Sequence, residues 1–92
     1  MLQPIYTKQF KKDVKRIEKS GNKDVEKLKV VIKLLIDEKK LDASYREHNL
    51  KGNYKDRREC HIEPDWLLVY KVNKKEKTIA FERTGSHTDI FE

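Results

Sequence analysis

Apolar residues recur at helical spacing in the first part of the chain and at strand spacing in the last. Phe10, Val14 and Ile17 lie four and three residues apart, on one face of a helix whose other face is covered by lysines. Thr7 precedes them as a candidate N-cap. Ser20-Gly21-Asn22 ends them, with Gly21 suited to the left-handed position that closes a helix. Val25, Leu28, Val31, Ile32, Leu35 and Ile36 form a second, wider stripe, with Asp24 near its start and Lys39 and Lys40 near its end. Two helices joined by so short a turn predict an antiparallel hairpin whose stripes pack into a core.

The remaining pattern is of strands. Residues 2–6 form a short apolar stretch that Pro4 confines to a sheet edge. From 42 to 56 periodicity is lost, and Gly52-Asn53 supplies turn residues, so this stretch predicts a loop; a loop this long inside a small domain is often functional. Residues 57–62 alternate, with Arg57, Glu59 and His61 on one side and Arg58, Cys60 and Ile62 on the other. Glu63-Pro64-Asp65 makes a tight connection to residues 66–72, WLLVYKV, which are apolar on both faces as a central strand requires. Residues 73–77 form a charged hairpin loop, residues 78–84 return as a strand, and Gly85 ends it before a tail at 86–92. The order predicts one α+β domain over 1–92. An N-terminal helical hairpin packs on one face of a small antiparallel sheet, and the other face is free to form a site.

Composition changes this picture in one respect. Charged residues make up 41% and apolar residues 36%, against a typical ~25% and ~45–50%. The clear periodicity argues against disorder, so the surplus charge is assigned to the surface. The net charge of +6 favours a polyanionic partner, which could be nucleic acid, a membrane surface or an acidic protein. Cys60 is the single cysteine, which excludes an internal disulfide and a thiolate zinc site. No run approaches the ~20 apolar residues of a membrane-spanning helix, and residues 1–13 lack a signal peptide's apolar core. A soluble, cytoplasmic protein without membrane contact is expected.

Three histidines avoid the helix stripes. His48 falls in the long loop, His61 beside a turn, and His87 just after a strand-ending glycine, positions that can converge at one sheet edge. Arg83 ends the last strand near His87. Strand parity groups it with Ile79 and Phe81, so either that face is mixed or the strand twists before Arg83, and a salt bridge to Glu59 or Glu82 is its structural alternative. A metal site from His61, Asp65 and His87 lacks the i, i+4 pairing of a His-rich zinc site, and no metal is expected. These groups match the needs of RNA cleavage. RNA brings its own 2′-hydroxyl nucleophile, so the protein must supply a base, a cation for the phosphorane and an acid for the departing 5′-oxygen. Histidine, with an ordinary pKa of ~6.5, serves in either proton-transfer role. Arginine offers planar, permanently charged donors to phosphate, and Tyr54 or Phe91 could hold an unstacked base.

The segments EHNLKGNYKDRRECHIEPDWLLVYKV and FERTGSHTDIF resemble the YafQ branch of the RelE-like bacterial toxins. HxLKG, RxCHIxPDWLLVY and RTGSH stand in that family's order and spacing, and F-x-K-D-V-K at residues 10–15 also fits. The resemblance implies a RelE-like, microbial-ribonuclease type of fold. It also implies a ribosome-dependent endoribonuclease that cuts mRNA in the ribosomal A site without metal or cofactor. By carry-over, His48, His61 and Asp65 are base-side or substrate-positioning groups, His87 the general acid and Arg83 the transition-state cation. Trp66 and Phe91 shape the site or contact bases, with Tyr54 and Lys51 as further substrate contacts. Implied partners are a cognate antitoxin, ribosomal RNA and mRNA, with operator DNA bound only through the antitoxin complex. Lys8, Lys11, Lys12, Lys15, Arg16 and Lys19 suit RNA phosphates or an acidic antitoxin segment. The tail departs from the family's small apolar ending: Asp89 and Glu92 bring negative charge that, beside His87, would favour its protonated form. Cys60 is expected to be a buried filler. Two alternatives stay open: a RelE-fold toxin that binds its target, as the gyrase-directed ParE toxins do, and a non-catalytic nucleic-acid-binding module.

Overall fold

Thr7 stands where a strand gives way to a helix, and its hydroxyl accepts from the Phe10 N–H at 3.1 Å. That bond satisfies one of the donors a helix start leaves open. The first helix, α1 (Lys8–Ser20), ends where Gly21 turns left-handed at φ 68° and returns its N–H to the Ile17 carbonyl. Asp24 then caps α2 (Val25–Ile36) by accepting from the Glu26 N–H at 3.0 Å. These ends are the ones the sequence predicts. The computed structural model describes residues 1–91; among them no helix is long and apolar enough to cross a membrane.

Five strands form one sheet: β1 (Gln3–Tyr6), β2 (His48–Asn49), β3 (Arg58–Glu63), β4 (Trp66–Asn73) and β5 (Thr78–Gly85), in the order β1-β5-β4-β3-β2. The β2–β5 pairings are antiparallel, but β1 runs parallel to β5, so the sheet is mixed rather than antiparallel throughout. The two helices carry the chain away from β1, and a helical crossover of that length permits a parallel neighbour. The segment expected to be a loop, 42–56, contains two single 3₁₀ turns (Ala43–Tyr45 and Gly52–Tyr54) with β2 between them. The tail folds into a short helix, α3 (His87–Phe91). Ser86 and Asp89 hold it by a reciprocal capping box, Asp89 N–H to Ser86 Oγ at 3.1 Å and Ser86 N–H to Asp89 Oδ2 at 3.0 Å.

Both faces of β4 are buried. Trp66, Leu68 and Tyr70 enter the main core with Phe10, Ile17, Leu28, Val31, Leu35, Cys60 and Phe81. Leu67 and Val69 meet Ile90 on the opposite face, flanked by Leu50 and Phe91. α1 packs against β5 and α2 against β3. Their splay leaves an apolar groove of about 400 Å³ lined by Tyr6, Phe10, Val14, Val25, Leu28, Ile32 and Ile36.

Candidate active site

Register assembles the site. His48 lies opposite Glu59, Glu59 opposite Val69, and Val69 opposite Arg83. Directly opposed residues share a face, so these four form one row across the sheet; His61 opposite Leu67 lies in the next. Strand parity alone would turn Arg83 into the core beside Phe81. A bulge reverses it: Tyr70 pairs with Phe81 and Val69 with Arg83, leaving Glu82 as the extra residue. Gly85, opposite Leu67, has φ 151°, and a Cβ there would lie 2.9 Å from Arg16 Nη2 and 3.0 Å from Asp89 Oδ2. Only glycine suits both the conformation and the space.

Glu59 stands between two histidines. It is 6% exposed, and its Oε2 lies 3.0 Å from His48 Nε2 and 3.5 Å from His61 Nε2. Each histidine meets a backbone carbonyl through Nδ1, His48 at Arg46 O (2.8 Å) and His61 at Pro64 O (3.2 Å). A carbonyl only accepts, so each Nδ1 carries a hydrogen and each Nε2 is the atom facing the carboxylate. An N–H bond from either Nε2 to Glu59 therefore takes one further proton. The same three donor atoms lie within 4.8 Å of one another and could hold a metal ion. Sequence reasoning cast Glu59 only as a partner for Arg83. Its signal was the E-x-H alternation in β3, which puts Glu59 and His61 on one face.

α3 adds further residues to the cleft of His48 and Glu59. The exposed His87 ring lies 4.9 Å from Phe91, one helical turn on, and Phe91 meets Tyr54 edge-to-face at 5.0 Å and 83°. His48, Leu50, Lys51, Tyr54, Glu59, His87 and Phe91 line one cleft of about 330 Å³. His61 sits behind Glu59 and faces a neighbouring pocket with Arg46 and Pro64. Asp65 does not line this cleft; its Oδ1 accepts the His87 N–H at 3.2 Å and anchors the first residue of α3. Trp66 does not reach substrate either. It is fully buried on the helix side, with Nε1 bonded to Thr84 Oγ1 at 2.9 Å, so the expectation of base contact is corrected.

Arg83 lines an adjoining cleft of about 450 Å³ with Asn53, Tyr54, Arg57 and Glu82. It pairs with neither Glu59 nor Glu82; Glu82 takes Arg57 instead. Its Nε donates to Asp13 Oδ2 at 2.8 Å, and its Nη2 to Asp13 Oδ1 at 3.4 Å and to the Asp89 carbonyl at 3.1 Å. The Asp13 hydrogen bond is the main reason its pKa stands above the usual arginine range. Nη1 has no protein partner among the described residues. Asp89 does not face His87 as expected: its carboxylate is taken by the Ser86 N–H, which lowers its pKa most, and by Arg16 at 3.6 Å. Glu92 lies outside the described residues. Cys60 is fully buried, and burial pushes its thiol up to about 12.

Residues 2–92 match the family described as bacterial toxin of type II toxin-antitoxin system, YafQ. The mRNA interferase toxin YafQ of Escherichia coli K12 is 45% identical over 87 residues, which span 94% of this chain and 91% of that protein. A chain in the crystal structure of the E. coli DinJ-YafQ complex superposes with a TM-score of 0.90 at 42% identity, covering 100% of both chains. A metal-bound toxin from Helicobacter pylori superposes with a TM-score of 0.91 at 43% identity, covering 99% of this chain and 100% of that one.

Proposed function

The chain belongs to the YafQ family of type II toxin–antitoxin toxins, and we propose that it cuts mRNA in the ribosomal A site by acid–base catalysis between the two walls of its cleft. It is an endoribonuclease, an mRNA interferase, with a cognate antitoxin as partner, as the E. coli YafQ has DinJ. The 2′-hydroxyl of the RNA gives its proton to the His48–Glu59–His61 group and attacks the adjacent phosphorus. The P–O5′ bond breaks, and His87, as imidazolium, protonates the departing 5′-oxygen. The products are a 2′,3′-cyclic phosphate and a free 5′-hydroxyl. Arg83 offers Nη1 to a non-bridging phosphate oxygen, Lys51 a charge to the backbone, and Phe91 and Tyr54 their rings to an unstacked base. Asp65 and Trp66 support the machinery from outside the cleft.

The observation that supports this assignment is that His87 lines the same cleft as His48 and Glu59, which brings the proposed acid and the proposed base to one space. A target-binding toxin or a plain nucleic-acid module has no use for that grouping. Primer extension on an mRNA with and without ribosomes tests it: cuts are expected only with ribosomes and should fade sharply in His87→Ala. Cuts of equal strength without ribosomes would overturn the A-site assignment.

The Glu59 trio also suits a metal ion, a reading that the metal-bound H. pylori toxin supports. Two Nε2 atoms and a carboxylate, with both Nδ1 atoms tied to carbonyls, suit zinc or copper. No step of the cleavage passes through the metal. It would occupy the atoms that take the proton, so either ion is expected to inhibit and a chelator to restore cleavage. In the cell the chain acts in the cytoplasm, touches ribosomal RNA through the lysines of α1, and reaches operator DNA only through the antitoxin complex.

A further inference from the structure

We infer that Asp13, on α1 and outside the cleft, is a positioning residue for RNA cleavage that acts through Arg83; this rests on the ribonuclease assignment. Asp13 occupies a position where the helix pattern asks for an apolar side chain, between Phe10 and Ile17 on the buried stripe, and it is 0% exposed. A carboxylate there is tolerated only if its oxygens are satisfied. Oδ2 accepts Arg83 Nε at 2.8 Å and the Thr84 N–H at 3.1 Å; Oδ1 accepts Gln9 Nε2 at 3.2 Å, Arg16 Nη1 at 3.3 Å and Arg83 Nη2 at 3.4 Å.

Stability does not require this arrangement, because well-packed apolar residues commonly serve as well as a buried ion pair. What the carboxylate adds is position. β1 pairs with β5 only as far as Phe81, so the segment that carries Arg83 has no strand on that side and follows a bulge. Asp13 takes the Thr84 N–H there and clamps two nitrogens of the Arg83 guanidinium, leaving Nη1 as the remaining edge.

The test is a double-mutant cycle of Asp13→Asn and Arg83→Ala, with nitrogen-15 NMR of the arginine Nε–H groups. In the unmutated chain the Arg83 Nε–H should be resolved and slow to exchange, and Asp13→Asn should abolish that protection. Single-turnover cleavage should fall by about 10²-fold in Asp13→Asn, the scale of a misplacement near 1 Å, with RNA affinity little changed. In the Arg83→Ala background the same substitution should cost less than about twofold, because the two residues act as one unit. Asp13→Glu, which keeps the charge and moves it by one methylene, should give the same pattern and replaces Asp13→Asn if that variant melts below the assay temperature. A fast-exchanging Arg83 Nε–H, or equal losses with and without Arg83, would overturn the inference. Absence of cleavage by the unmutated chain would instead sink the ribonuclease assignment, while the Nε–H signal would still decide whether Asp13 holds Arg83.

Discussion

The two faces of β4 are both apolar, yet they serve different ends. On the helix side Trp66, Leu68 and Tyr70 join a core built from α1, α2 and the sheet. On the other side Leu67 and Val69 pack with Ile90, Leu50 and Phe91, and the same rows of the sheet carry Glu59, His61 and Arg83. The larger core lies on the first face and the proposed chemistry on the second. Their difference shows how a 92-residue chain can hold charged groups in fixed positions: the polar row stands on strands that the other face has already made rigid.

Substitutions that respect this division should separate fold from activity. The largest effect is expected on the helix side. Trp66→Ala removes a fully buried indole and its bond to Thr84, and should lower unfolding free energy by about 3–5 kcal/mol in urea titration. A loss below about 1 kcal/mol would place the main core elsewhere. On the other side Glu59→Gln should leave the melting temperature nearly unchanged while cleavage falls by about 10²–10⁴-fold, the usual contribution of one proton-transfer group. Equal losses of stability and activity would erase the contrast between the faces.

Much of this division was legible in the sequence. The stripes of α1 and α2, the caps Thr7 and Gly21 and the double-sided burial of β4 all follow from periodicity and backbone preference. The missing parts are those that periodicity does not encode. β2 is two residues long and α3 five, too short to show a repeat, although Ser86-x-x-Asp89 is a capping signature. The direction of β1 depends on the crossover rather than on its own apolar pattern. Parity groups Arg83 with Ile79 and Phe81 and leaves open whether that face is mixed or the strand twists, because the extra residue in β5, Glu82, is invisible to simple alternation. Glu59 and Asp13 were passed over because acidic residues usually belong to solvated faces, and only tertiary partners show that these two are buried.

Smaller effects sharpen the same contrast. Phe91→Ala should weaken RNA binding by about 1–3 kcal/mol, the value of one stacked base, while leaving the cut position unchanged; unaltered affinity would remove Phe91 from the substrate. The smallest is expected at Cys60, on the core face. With its thiol at about 12 and no exposure, a thiol reagent at neutral pH should label it only as the chain unfolds. Rapid labelling of the native protein would mean that this face opens.

Changing the leaving group probes the proposed role of His87, donation of the proton to the departing 5′-oxygen. An RNA with sulfur in place of that bridging oxygen has a leaving group with an ordinary pKa of about 8.5, which needs no acid. His87→Ala should cut the normal RNA about 10²–10⁴-fold more slowly than the unmutated chain and should regain most of that loss on the sulfur-bridged RNA. An equal loss on both substrates would contradict the assignment of His87 as the acid.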